Sequence, residues 1–192
     1  MKVCSQEAKR AYPGVAMPYS AKAVANQFLE LAKHDGIQID PMKLQKLVYL
    51  AHGWYYAIFN HPLIYDPIEA WDFGPVIPGL YQEFREFGDK PITRKAQDLR
   101  RVSEFGPGSI VAEIPEISDS ADESRDAKAV IERVWQLYGK LSALQLSEIS
   151  HAPGTPWDSV FQKHSGKLPR GAFIPPEEIK DFFTQEAGSG RK

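Results

Sequence analysis

Residues 43–88 read KLQKLVYLAHGWYYAIFNHPLIYDPIEAWDFGPVIPGLYQEFREFG, and this stretch packs a helix, a turn and an aromatic loop into one block. Asp40-Pro41 announces the helix. An Asp accepts hydrogen bonds from the first backbone N–H groups, and Pro at the first helical position gives up only an N–H that has no partner there. Leu44, Leu47, Val48, Ala51, Trp54, Tyr55 and Ile58 then recur at helical spacing, which predicts a wide apolar stripe with Lys43, Gln45 and Lys46 off it. Asn60-His61-Pro62 and Asp66-Pro67 are turn signals, and the apolar run between them is too short for a helix. Residues 68–73 read as a strand. Pro75, Pro78 and Gly79 interrupt regular structure before Leu80, Tyr81, Phe84 and Phe87 set up a short helix ending at Gly88.

Working outward, Ser20 caps a helix over residues 20–35 that Gly36 stops. Residues 92–117 are rich in Pro, Gly and β-branched types, with extended pieces expected within 109–114. An acidic start at Asp122 and Glu123 favours a helix running to Gly139, because negative charge meets the positive end of the dipole. Ser142 caps a further helix to His151, Thr155-Pro156-Trp157-Asp158 starts another, and the last begins at Pro176. The expected fold is mainly α: a compact single helical domain of about six to seven helices with a small antiparallel β element. Residues 1–17 read as a flexible leader, 18–184 as the domain and 185–192 as a disordered tail.

Composition removes several function classes. A chain of 192 residues suits one core, and 43% hydrophobic with 25% charged residues is a folding composition. A formal net charge of −2 argues against nucleic acid as the main partner, since phosphate binding draws on excess Lys and Arg. Cys4 stands alone, which excludes an internal disulfide and a Cys-rich zinc cluster and suits a reducing cytoplasm. No stretch has the run of apolar residues that a membrane span needs.

Side chains with chemical promise each have a plainer reading. His52 lacks a metal-ligating partner one helical turn away, since position 48 is Val and position 56 is Tyr. Glu69 and Asp72, close to Trp71 and Phe73, would serve a small hydrolase if burial raised one pKa; alternatively Glu69 accepts hydrogen bonds that hold the loop. The run from Phe73 to Gly79 precedes a helix like a phosphate loop, yet its prolines remove the N–H donors that phosphate needs. A stiff loop beside Trp71 suits an interface anchor instead. Around Gly139 and the Ser142-capped helix lies a loose helix-turn-helix pattern, the basis of an alternative DNA-binding regulator. That helix contains no Lys or Arg to contact phosphates or guanine. Arg85, Lys90, Arg94, Lys95, Arg100 and Arg101 make the middle locally basic, opposite an acidic stretch within 113–126. Trp157 is expected to plug the last helices over the second one, with His151 bonding across that seam.

Lys43-Leu44-Gln45-Lys46-Leu47 with Tyr49 and Trp54, then Pro62-Leu63, Glu69-Ala70-Trp71, Phe73-Gly74-Pro75-Val76, Pro78 and Tyr81 resemble the Panacea antitoxin domain. That family includes GepA-like phage-associated proteins and SocA-like proteolytic-adaptor antitoxins. The resemblance covers residues 20–160 and implies a bacterial or phage cytoplasmic antitoxin, not an enzyme, that neutralises a co-encoded protein toxin by direct binding. In the SocA-like branch it further implies delivery of the toxin to a bacterial AAA+ protease. No cofactor, metal or catalytic residue is expected. The partner-binding candidates are Tyr49, His52, Trp54, Glu69, Trp71, Phe73, Gly74, Pro75, Val76 and Tyr81.

Overall fold

A computed structural model describes residues 18–101, 109–118 and 122–190; the expected leader lies outside them. Among the described residues, seven α-helices make the protein mainly α: α1 (Ala21–Asp35), α2 (Pro41–Phe59), α3 (Pro78–Phe84), α4 (Asp122–Tyr138), α5 (Ala143–Ser150), α6 (Pro156–Lys163) and α7 (Pro176–Gly188). Two antiparallel strand pairs accompany them, β1 (Glu69–Trp71) with β2 (Gly74–Val76) and β3 (Asp98–Arg101) with β4 (Ile110–Glu113).

Local chemistry sets the helix ends. Ser20 Oγ accepts from Ala23 N, and Gly36 closes α1 in the left-handed region at φ 67°. Asp40 accepts from Lys43 N ahead of Pro41, and Thr155 accepts from Asp158 N ahead of Pro156. Ser142 and Gln145 form a reciprocal capping box on α5. At the other end of the chain α7 continues through Gly188, so residues 185–188 are helical rather than part of a disordered tail.

α2 is the axis of the molecule, with α1, α4, α5 and α7 packed around it. The amphipathic reading of α2 is therefore corrected: Lys43, Gln45 and Lys46 are buried, while Ile58 near the C-terminal end is exposed. A helix covered on all sides has no solvent face for polar residues, and each of these satisfies backbone groups of another segment instead. Lys43 Nζ donates to Gly139 O at 2.7 Å, Lys46 Nζ to Pro75 O at 2.9 Å, and the Gln45 amide exchanges two hydrogen bonds with the Ile77 backbone.

The basic middle is partly neutralised within the fold. Arg94 pairs with Glu83 and Glu86, Lys95 with Glu30 and Glu116, and Lys22 with Glu83 and Asp98.

Candidate functional site

β1 and β2 form a hairpin with Trp71 opposite Gly74, Ala70 opposite Pro75 and Glu69 opposite Val76, so Asp72 and Phe73 make the tip. Neither tip residue has a positive φ, whereas Gly74 lies at φ 97°. This matches a turn of the common kind closed by a left-handed glycine. Glycine is needed for space as well: a Cβ at position 74 would meet Lys46 Nζ at 2.9 Å and Ser150 Oγ at 3.0 Å.

The hairpin is gripped through its main chain. Trp157 Nε1 donates to Trp71 O at 2.8 Å, Ser147 Oγ to Phe73 O at 2.8 Å and Lys46 Nζ to Pro75 O. On the outer edge of β1, Ala70 N donates to Ala172 O at 2.7 Å and Ile174 N to Ile68 O at 2.9 Å. Trp157, stacked on Phe161, thus closes α6 on the hairpin rather than over α2. His151 meets Ser147 on its own helix at 3.3 Å and packs edge-on to Trp157, so its hydrogen bond does not cross the expected seam.

Between the hairpin, the first turns of α2 and residues 168–171 opens a groove of about 630 Å³. Its walls are mostly apolar, including Met42, Trp71, Phe73, Val76, Tyr81 and Leu168, with Glu69, Asp72, Lys46 and Arg170 as its charged members. Trp71 stands edge-on to Tyr81 at 4.9 Å and its indole N–H donates to Glu69 at 2.9 Å, which gives the Glu69 carboxylate a holding role. Phe73 is 68% exposed and Tyr81 38%.

The candidates therefore divide. Glu69, Trp71, Phe73, Val76 and Tyr81 line the groove. Gly74 and Pro75 are buried supports beneath the tip. Tyr49 and His52 lie in the core at 2% and 4% exposure, away from any docking face, because neighbours cover α2 all round. His52 Nδ1 accepts from Ile64 N at 3.3 Å, and burial lowers its pKa to about 4, leaving the ring neutral. Trp54 is half-buried, edge-on to Phe183 at 5.1 Å. Sequence reasoning missed Met42, Lys46, Leu168 and Arg170. The last two reach the groove only through tertiary folding and carry no local signal.

Among the described residues, no group of three His, Cys, Asp or Glu side chains could hold a metal ion, and no helix is long and apolar enough to cross a membrane. The second helix of the loose helix-turn-helix pattern, α5, packs on α2 and β2, with Leu144, Glu148 and Ile149 among its exposed residues.

A family model described as "Antitoxin SocA-like, Panacea domain" matches residues 44–158. The chain belongs to the SocA-like Panacea antitoxin family. It is 37% identical over 163 residues to Antitoxin SocA of Caulobacter vibrioides (strain NA1000 / CB15N), covering 85% of this chain and 81% of that one. No solved structure matches. The matched Panacea segment contains α2 from Leu44, the hairpin and α3 to α5, but it stops short of residues 168–171, the far wall of the groove.

Proposed function

We propose that this antitoxin neutralises a co-encoded protein toxin by direct binding, with the hairpin tip and its groove as the docking surface. The observation that supports this is the aromatic trio of exposed Phe73 and Tyr81 with half-buried Trp71, lining a mostly apolar groove on a hairpin gripped through its backbone. Preorganised aromatics lose little entropy on docking, and such residues dominate interface energetics. Inhibition on this reading is steric, and no covalent bond is made. The far wall at Leu168 and Arg170, outside the matched family segment, tunes which toxin is accepted.

Co-expression of the neighbouring gene tests the role: its product should be toxic alone and harmless beside this chain. Calorimetry on the purified pair tests the surface. Phe73→Ala and Tyr81→Ala should each weaken binding by about 1–2 kcal/mol while leaving the urea midpoint unchanged. Wild-type affinity in both variants would move the interface elsewhere.

The SocA-like relationship also supports a second step in the cytoplasm, transfer of the captured toxin to a bacterial AAA+ protease. Purified protease should then degrade the toxin faster when this chain is present. Equal rates with and without it would leave blocking as the whole mechanism.

A further inference from the structure

Glu69 and Trp71 lie two residues apart on β1 and so share one face of the hairpin, with Val76, the cross-strand partner of Glu69, beside them. All three line the groove, and Tyr81 of α3 meets the Trp71 indole there with its ring at 63°. The two aromatic rings form a corner. At its rim the Glu69 carboxylate is fixed, because Oε2 accepts the indole N–H at 2.9 Å. That bond uses one oxygen of two, and Oε1 has no partner among the described residues. Asp72 brings a second carboxylate from the tip, exposed and without an ion pair among the described residues. The cations of the groove leave both acids unanswered. Lys46 is buried and donates to the Pro75 carbonyl, while Arg170, across the groove, makes no ion pair or ring contact among the described residues.

We propose that this corner receives an arginine side chain of the bound toxin, stacked on the Trp71–Tyr81 pair with its guanidinium N–H groups on Glu69 and Asp72. Aromatic faces attract cations through the ring quadrupole, and a planar guanidinium stacks while presenting several donors at once, which a lysine ammonium does not. A wholly apolar anchor would cover the Glu69 carboxylate and bring no donor to its open oxygen, whereas a guanidinium supplies a charge-assisted bond. Arg170 repels the incoming cation from the far wall and so favours the hairpin side. This inference rests on the groove being the toxin's docking surface and names the side-chain chemistry that surface selects.

N-acetyl-L-arginine amide is a suitable probe, with N-acetyl-L-citrulline amide as its uncharged counterpart, and the indole N–H resonances of the full-length ¹⁵N-labelled chain report binding. Trp71→Phe assigns the Trp71 signal among those of Trp54, Trp135 and Trp157. The arginine probe should move that signal saturably and leave the other three in place. Glu69→Gln, whose side-chain oxygen still accepts the indole N–H, and Asp72→Asn should each weaken the response at least threefold. No shift at Trp71, an equal response to the citrulline probe, or full responses in both variants would overturn the proposal. In the complex with the toxin the response should vanish. If it persists although Phe73→Ala weakens toxin binding, the docking surface stands and the arginine assignment fails; if Phe73→Ala and Tyr81→Ala both leave toxin affinity unchanged, the docking reading itself fails.

Discussion

Lys46 carries its amine into the interior, where Nζ donates to the Pro75 carbonyl, and burial pulls its pKa down from 10.5 to about 7. Between those values the unfolded chain holds a proton that the folded chain has released, so stability rises with pH across that window. Below about 7 the penalty is present in full. Urea unfolding of the wild type and Lys46→Met at pH 7 and pH 9 should show their difference moving in favour of the wild type, by up to about 1.4 kcal/mol per pH unit. A pH-independent difference would mean that the amine is not desolvated. His52 works in the acid range. With a folded pKa of about 4 against 6.5 unfolded, it subtracts stability as pH falls between those values. His52→Asn, whose side-chain oxygen can still accept from Ile64 N, should reduce the loss of stability between pH 7 and pH 4.5.

At the scale of elements, α7 docks where α2 has no side chain. A Cβ at Gly53 would fall 2.1 Å from Cε2 of the Phe183 ring, so Gly53→Ala must displace α7. The expected loss is about 1–3 kcal/mol, as for other overpacked contacts, with hydrogen exchange quickening first over residues 176–188. Uniform exchange across all helices would show that α7 does not loosen separately. Helix starts were legible at Ser20, Asp40-Pro41, Ser142 and Thr155-Pro156, because a cap is chemistry among neighbouring residues. The left-handed glycine was legible for a similar reason, since Gly74 before Pro75 marks an unusual backbone angle on its own. The strand expected over 68–73 instead turns back at Asp72-Phe73, and Pro75 continues it as β2 rather than interrupting it. The burial of Lys43, Gln45 and Lys46 was hidden because their partners at Gly139, Ile77 and Pro75 come from distant chain. Periodicity assigns residues to a helix face without saying what covers it, which is why Tyr49 and His52 read as surface and prove to be core.

For the molecule as a whole, Glu83 is a junction between α1, α3 and the segment leading to β3. It receives Lys22 at 2.7 Å, Arg94 at 2.6 Å and the Gln97 backbone N–H at 3.2 Å, with its side chain only 12% exposed. Glu83→Gln should therefore destabilise the protein by about 1–3 kcal/mol, more than an exposed ion pair contributes, as measured by chemical denaturation. A change under about 0.5 kcal/mol would make Glu83 an ordinary surface acid. The hairpin has the opposite character. Since α2, α5 and α6 hold it by the carbonyls of Pro75, Phe73 and Trp71, the grip is blind to the side chains at the tip. A library randomised at codons 72 and 73 is expected to stay largely folded while its members diverge in binding. Heritable change can then accumulate at the tip without eroding the frame, a separation that would let one scaffold keep pace with a changing adversary.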